Sequence, residues 1–228
     1  MPIKGQPAGP VNHLVHFIGA NPATDFNPEA YPCIDPTAYV GPFSTVIGDV
    51  TLGANVFVAS NVTIRADEGT PFFIGANSNL QDGVVLHGLR EGRVVVDARE
   101  FSIHIGEGVT CAHGCLVHGP CRLENKVFVG FNAIILNAVI GEGSFVSNAA
   151  VVTDGVRIAA NRLVPVGALI DTQKKADALG PVPVEKEKFA GQVRAINVRF
   201  PAAYALMSGV TRCSCGIAGD KAEYGSEG

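Results

Sequence analysis

The 228-residue sequence predicts an all-β fold: a parallel β-helix of about seven coils with a C-terminal α-helix packed along it. Between positions 34 and 170 an aliphatic residue recurs every sixth position, and 20 of the 21 repeat positions hold Ile, Leu or Val. A second inward position, four residues further on, is usually small or Val, and Gly, Asn and Asp often fill the turn between the two. One such unit forms one face of a triangular prism, so three units make a coil and 21 make seven coils.

The repeats set the order of the elements along the chain. Residues 1–33 are rich in proline and are expected to run extended as a cap, because the open first coil would otherwise expose unpaired strand edges. The β-helix is expected to span residues 34–172. A short insertion after Ile64 and a longer one after Leu86 interrupt the count, and both are expected to form loops outside the prism.

A different pattern follows the last repeat. Residues 173–208 are expected to supply a linker and a helix whose apolar stripe packs along one prism face, with a kink or a break at Pro201. The Gly-rich tail, residues 209–228, is expected to be flexible. It carries Cys213 and Cys215, which are too close in sequence to bridge each other easily. They are expected to be inert thiols, with an exposed redox pair or an intermolecular link as the alternatives.

Composition argues against several classes of function. The net charge is −4 with only 17% charged residues, whereas binding of nucleic acid needs clustered Lys and Arg. No stretch is long enough to span a membrane and no signal peptide is evident, so a cytoplasmic location is expected. Six cysteines are too few for a disulfide scaffold. Three of them, Cys111, Cys115 and Cys121, occupy inward repeat positions and are expected to be buried thiols rather than ligands.

Two histidines share one column of the predicted prism. Arg65, His87 and His118 each directly follow the aliphatic residue of a unit on the same face, in successive coils. They are therefore expected to lie one strand spacing apart, about 4.8 Å. Two imidazoles at that separation can hold one metal ion.

His113 lies on the preceding face, in one column with Asp82. A side chain there cannot easily reach a metal ion that His87 and His118 of the same chain hold, but it can reach one held by a neighbouring chain. Such a head-to-side contact closes into a ring, and a three-sided prism favours a cyclic trimer with Arg65 near Asp82 of the adjacent chain. The alternative, that the histidines are structural residues of a solenoid, stays open on these grounds.

The residues around these histidines resemble the γ-class carbonic anhydrases, and within that family the N-terminal domain of the carboxysome scaffold protein CcmM. The similar segments are Arg65-Ala66-Asp67-Glu68-Gly69, Gln81-Asp82-Gly83-Val84-Val85-Leu86-His87 and His113-x-x-x-x-His118-Gly119-Pro120. The resemblance implies a left-handed β-helix and a homotrimer that holds zinc, or iron or cobalt, between subunits. His87 and His118 would come from one chain and His113 from its neighbour, with Arg65 and Asp82 as the interface pair.

The resemblance also implies an activity, the reversible hydration of CO₂ to bicarbonate. Asp67 and Glu68 match the family's active-site acids, and Gln81 matches a residue that hydrogen-bonds solvent on the metal. Asn197 matches a helix residue that lines the pocket. A metal ion held by three neutral imidazoles lowers the pKa of a bound water towards 7, and the released proton needs an acid-base group with a route to solvent. Glu68 is the expected group.

Two departures from the family's pattern bear on turnover. Arg90 stands where the best-known members carry a second glutamate as proton shuttle, and Glu91 is offset from that position by one residue. Ala195 replaces a tyrosine of the family's helix. Turnover is therefore expected to be slow, to depend on Glu68 or on buffer, or to be absent.

Two other functions stay open at this point. The first is a carboxysomal assembly domain with weak, absent or redox-gated activity, for which Rubisco or shell proteins are the partners and Cys213 and Cys215 form the gate. The Rubisco-small-subunit-like repeats that normally follow such a domain are absent from this sequence. The chain is therefore expected to be either a truncated scaffold protein or a stand-alone enzyme. The second is a hexapeptide-repeat acyltransferase with a histidine base and no metal, which the pairing of His113 with His118 disfavours.

Overall fold

A computed structural model describes the chain from residue 16 to residue 208, with side chains from residue 17 to residue 206. The predicted tail cysteines, Cys213 and Cys215, lie outside the described residues.

Short strands dominate the described part of the chain, and helices follow them. The strands, in chain order, are β1 (His16–Gly19), β2 (Cys33–Ile34), β3 (Tyr39–Val40), β4 (Ser44–Gly48), β5 (Val50–Leu52), β6 (Phe57–Val58), β7 (Thr63–Ala66), β8 (Phe72–Ile74), β9 (Asn79–Leu80), β10 (Val85–Gly88), β11 (Val94–Val96), β12 (Arg99–Phe101), β13 (Ile103–Ile105), β14 (Thr110–Cys111), β15 (Leu116–Leu123), β16 (Phe128–Val129), β17 (Ile134–Ile140), β18 (Phe145–Val146), β19 (Val151–Val152), β20 (Arg157–Ile158), β21 (Leu163–Val164) and β22 (Leu169–Ile170). The helices are α1 (Gln173–Asp177), α2 (Val184–Asn197) and α3 (Phe200–Ser208).

The strands stack in register on three faces of a prism, and all pairings between coils are parallel. The second face is a seven-stranded sheet with the order β21-β18-β16-β14-β9-β6-β3, one strand for each coil. The first face begins with β2, β5 and β8, and the third face with β1, β4 and β7. The predicted parallel β-helix of about seven coils is therefore confirmed, and β1 adds one further strand to the third face.

The repeat positions form a single core inside the prism. The aliphatic residues of the hexad point inward and are buried, except for the half-buried Val40 of the first coil, and most of the small residues four positions later are buried as well. Cys111, Cys115 and Cys121 are buried among them, as predicted. Burial raises the pKa of the Cys121 thiol to about 12, and the neighbouring Cys111 together with burial raises the pKa of Cys115.

Both insertions lie outside the prism and leave its register intact. The longer one contains an antiparallel hairpin, β11 and β12. Arg65 pairs with His87 across β7 and β10, and His87 pairs with His118 across β10 and β15. From Ile135 to Ile140 the repeat advances by five residues instead of six, and this step appears as a register shift between β15 and β17, located between His118 and Cys121.

The N-terminal segment closes the open end of the third face. β1 pairs with β4 in parallel and so covers the edge that the first coil would expose. The following residues form a loop around Asn21, whose side-chain amide donates to the carbonyl groups of Pro22 and Pro28. The division of the chain at residues 33, 172 and 208 stays a prediction.

Helices α2 and α3 pack along the second face, in line with the predicted packing of a helix along one prism face, whereas the short α1 contacts β20 and β22. Phe189 of α2 contacts the stacked rings of Phe128 and Phe145. The break between α2 and α3 falls at residues 198 and 199, before Pro201, which lies in the first turn of α3. A proline there removes no helical hydrogen bond, which explains why the break precedes it. None of the helices within residues 16–208 is both long enough and apolar enough to cross a membrane.

Candidate metal centre

Two imidazoles converge on the third face. Nδ1 of His87 lies 3.1 Å from Nε2 of His118, and the ring centroids are 5.1 Å apart. The register of β10 against β15 causes this proximity, because it places the two residues directly opposite each other in adjacent coils. Leu86 and Val117, the preceding residues, are buried in the prism, so the imidazoles project outward from it.

The spacing of these nitrogens suits a shared metal ion. Two ligands at about 2.0–2.1 Å from a tetrahedral zinc ion lie roughly 3.3 Å from each other, close to the observed 3.1 Å. Among residues 17–206 of a single chain, no group of three or more His, Cys, Asp and Glu side chains is placed to hold a metal ion. The described residues of one chain therefore offer two imidazoles as candidate donors, and a third donor to the same metal ion would have to come from elsewhere.

Asp67 holds the outer side of His87. Its Oδ1 atom lies 3.3 Å from Nε2 of His87, and its Oδ2 atom accepts a hydrogen bond of 3.1 Å from Arg65. Burial lowers the pKa of His87 and the positive charge of Arg65 lowers it further, against the opposing effect of Asp67. The neutral imidazole, which is the form that binds a metal, is therefore favoured.

Glu68 lies between the histidine pair and solvent. Its Oε2 atom is 3.9 Å from Nε2 of His87, and its Oε1 atom accepts a hydrogen bond of 3.1 Å from the backbone N–H of Arg90. The side chain is 42% exposed. The carboxylate of Glu68 therefore faces His87 on one side and bulk water on the other.

His113 lies on the second face, away from the pair. Its Nδ1 atom is 3.1 Å from Oδ2 of Asp82, and both side chains are 55% exposed. Its ring also packs against Phe131. Within one chain Arg65 contacts Asp67 and Asp82 contacts His113, so the chain does not bring Arg65 and Asp82 together.

Gln81 is held by buried polar neighbours. Its Nε2 atom donates to Oδ1 of Asn79 at 3.2 Å, and Nδ2 of Asn79 donates to Oγ1 of Thr110 at 2.9 Å. Sequence reasoning missed Asn79 and Thr110. Each of them directly precedes an inward repeat position, in successive coils of the second face. A polar residue that recurs at this position is the signal that could have found them.

A cavity of about 330 Å³ separates the second face from α2 and α3. Gln81, Asp82, His113 and Asn197 all line it, together with aromatic side chains. Asn197 is buried, and its amide donates to the carbonyl of Val193 at 2.9 Å. The predicted site residues thus form two groups on adjacent faces, one around the histidine pair and one around this cavity.

Comparison with known proteins agrees with these features. A family model described as "Bacterial transferase hexapeptide (six repeats)" matches residues 34–66. A carbonic anhydrase from Methanosarcina thermophila is 42% identical over 178 residues, which are 72% of this chain and 71% of that protein. The chain belongs to the γ-class carbonic anhydrase family.

Members with other names are also similar. The carboxysome assembly protein CcmM of a Nostoc species is 43% identical over 189 residues, 82% of this chain and 34% of that protein. CcmM of a Synechocystis species is 48% identical over 169 residues, 74% of this chain and 24% of that protein. The chain spans about a third or less of these two relatives. A solved structure of a putative acetyltransferase from Bacillus cereus has a TM-score of 0.66 at 25% identity, covering 78% of this chain and 94% of that one, which confirms the left-handed β-helix of hexapeptide-repeat proteins.

Proposed function

We propose that the chain is a zinc-dependent carbonic anhydrase that hydrates CO₂ reversibly to bicarbonate at centres between the subunits of a homotrimer. The observation that carries this proposal is the 3.1 Å separation of the His87 and His118 nitrogens on one face of the prism. A lone structural histidine needs no second imidazole in the next coil. Membership of the carbonic anhydrase family supports the same assignment.

The trimer supplies the donor that one chain lacks. His113 is half exposed on the adjacent face, and Asp82 holds its Nδ1 atom, which leaves Nε2 for a metal ion of a neighbouring subunit. Arg65 is also half exposed beside the histidine pair. An ion pair between Arg65 of one subunit and Asp82 of the next would then align the second face of one prism with the third face of another.

Zinc, or iron or cobalt, supplies a Lewis acid at this centre and makes water acidic near neutral pH. The chain's own residues do the rest. Asp67 keeps the His87 ring in place through its 3.3 Å contact. Gln81, anchored on Asn79, presents its amide from the cavity side, where Asn197 also lies. The predominantly apolar cavity suits CO₂, which is itself uncharged.

Glu68 carries the proton away from the site. Its carboxylate reaches both towards His87 and towards solvent. Arg90 occupies the position of the family's second glutamate, and an arginine side chain offers only N–H donors, so it cannot relay a proton as a carboxylate does. What Arg90 contributes instead is its backbone N–H, which holds Oε1 of Glu68 at 3.1 Å.

A second candidate function is supported by the CcmM relatives, which are named as carboxysome assembly proteins. In this alternative the chain is an assembly domain within the carboxysome, a cytoplasmic compartment, with Rubisco or shell proteins as partners. Its activity is then weak, absent or gated by the redox state of Cys213 and Cys215. We expect neither nucleic acid nor a membrane as partner, given the net charge of −4.

A stopped-flow CO₂ assay on protein of measured metal content, in reduced and oxidised states, tests the proposal. Bound metal with turnover in both states supports the enzyme. Turnover in one redox state alone supports a gate. Bound metal without turnover, together with capture of Rubisco or shell proteins, supports the assembly domain. Trimers that bind no zinc, iron or cobalt contradict the metal centre.

A further inference from the structure

The loop between β1 and β2 is built as a rigid unit. Asn21 is 1% exposed, and its side chain binds three backbone groups of the loop, the carbonyls of Pro22 and Pro28 and the N–H of Ala30, at 2.9–3.0 Å. The two prolines fix further backbone angles. We call residues 21–30 the N-terminal loop.

A tight turn within the N-terminal loop presents two side chains to the candidate site. The backbone N–H of Thr24 donates to the carbonyl of Asn27 at 2.9 Å, and the N–H of Asn27 donates to Oγ1 of Thr24 at 3.0 Å. Asn27 is 4% exposed, and its Nδ2 atom donates to the backbone carbonyl of Asp67 at 3.1 Å. This contact joins residues 40 positions apart in the sequence.

The second contact comes from the neighbouring residue. The guanidinium carbon of Arg90 lies 4.9 Å from the centroid of the Phe26 ring, a cation–π contact. The backbone N–H of the same Arg90 holds Oε1 of Glu68. Phe26 and Asn27 therefore reach the two consecutive acids from opposite directions, Asn27 through the Asp67 carbonyl and Phe26 through Arg90.

We propose that the N-terminal loop is a clamp that positions Asp67 and Glu68 against the histidine pair, with Asn27 and Phe26 as its positioning residues. The inference rests on the proposed function, since it concerns the acid that moves the proton. Glu68 is 42% exposed and has one backbone donor, so little else restricts its rotamers. A displacement of about 1 Å at such a group costs up to a hundredfold in rate.

The test measures proton transfer in variants of the clamp. Asn27→Asp keeps the shape of the side chain and removes its donor, and Phe26→Leu removes the ring but keeps apolar bulk. Each is expected to lower kcat about threefold to tenfold, with metal content and KM unchanged and partial recovery in imidazole buffer. Phe26→Tyr restores the ring and is expected to restore kcat. Asp25→Asn, in the same loop and exposed, is the matched control.

A double-mutant cycle separates positioning from a general structural role. In the Glu68→Gln background, Asn27→Asp is expected to change kcat less than about twofold, because a residue that acts through Glu68 has nothing left to position. Additive losses overturn the proposal. An inactive parent protein contradicts the proposed function instead.

Amide hydrogen exchange tests the clamp independently of enzyme activity. The amides of residues 67–70 are expected to exchange at least about threefold faster in Asn27→Asp than in the parent or in Asp25→Asn. Equal exchange rates overturn the clamp whatever the activity. Should Asn27→Asp fail to fold, the comparison of Phe26→Leu with Phe26→Tyr gives the same decision.

Discussion

Nδ1 of His87 lies 3.1 Å from Nε2 of His118 because β10 and β15 pair in register across two successive coils. The prism fixes the backbone of both residues, and Asp67 fixes the far side of the His87 ring. Two metal donors are thus oriented before any metal arrives, which lowers the entropy that binding must overcome. His113, the third donor that we propose, lies half exposed on the adjacent face, so in the proposed trimer it would reach this pair only from a second chain.

His118→Ala is expected to abolish metal binding and any hydratase activity while the trimer stays largely assembled. One imidazole fewer leaves a two-donor site, whereas the side chain contributes nothing to the buried core of the prism. Metal content by mass spectrometry and size by light scattering are the measurements.

His104→Gln is the matched control for this change. His104 lies on the first face between Phe73 and Phe101, so its loss is expected to leave the metal content unchanged. Full metal occupancy in His118→Ala would contradict the ligand assignment. Metal loss in the control would place the site elsewhere.

Glu68→Gln is expected to lower kcat about tenfold to a hundredfold, with partial recovery when imidazole buffer is added. The amide keeps the shape of the side chain and its hydrogen bond to Arg90 but carries no proton. Stopped-flow assays over a range of buffer concentrations provide the measurement.

Glu91→Gln tests the other acid of the same loop. The Glu91 carboxylate contacts the guanidinium of Arg90 at 3.5 Å and is almost fully exposed. Its loss is expected to change kcat less than about twofold, since an exposed ion pair contributes little. A larger effect in Glu91→Gln than in Glu68→Gln would make Glu91 the proton carrier.

The hexad count predicted the register of the histidine column through two insertions. Parallel coils pair unit by unit, so an insertion that leaves and re-enters the prism at the same corner shifts no pairing. The five-residue step from Ile135 to Ile140 is visible in the same count, and in the structure it appears as a register shift. The six-residue period also predicted the burial of Cys111, Cys115 and Cys121.

Contacts made by irregular backbone were not predictable in this way. Asn27 meets Asp67 because the N-terminal loop folds around Asn21, and no period relates residues 40 positions apart. The position of the helix break likewise depends on packing against the second face rather than on Pro201 alone. The contact of His113 with a neighbouring chain stays a prediction, which rests on the prism geometry and on the family resemblance.

Arg65→Ala is expected to weaken the trimer, so that smaller species appear at micromolar concentration or below. The variant removes the predicted ion pair with Asp82 of a neighbouring subunit and the contact with Asp67. Arg157→Ala, an exposed arginine on the first face, is the control. Analytical ultracentrifugation over a dilution series measures the dissociation of both variants. Identical dissociation curves for Arg65→Ala and Arg157→Ala would contradict the predicted ion pair.

Gly88→Ala is expected to destabilise the fold by about 1–3 kcal/mol. A Cβ atom at Gly88 would clash with the Oγ atom of Ser102, which is completely buried. The double variant Gly88→Ala/Ser102→Ala is expected to regain most of the stability, because the next nearest atoms lie at 3.3 Å or more.

Chemical unfolding measures this compensation. Gly180→Ala serves as control, since a Cβ atom added at Gly180 would meet no other atom within 4 Å, and it is expected to be neutral. Destabilisation in the double variant equal to that in Gly88→Ala would show that the clash with Ser102 is not the cause.

Thiol labelling separates the core cysteines from any redox gate. Burial raises the pKa of Cys121 to about 12, which disfavours the reactive thiolate at pH 8. Cys111 and Cys115 are equally buried, whereas Cys33 is exposed. Iodoacetamide at pH 8 is therefore expected to modify Cys33 and to spare the three core thiols until the protein unfolds, as peptide mapping would show. Rapid labelling of Cys121 in the native protein would contradict the closed prism.

With the core thiols unreactive, any effect of reductant on CO₂ hydration must come from Cys33, Cys213 or Cys215, and Cys33→Ser then leaves the two tail residues as the source.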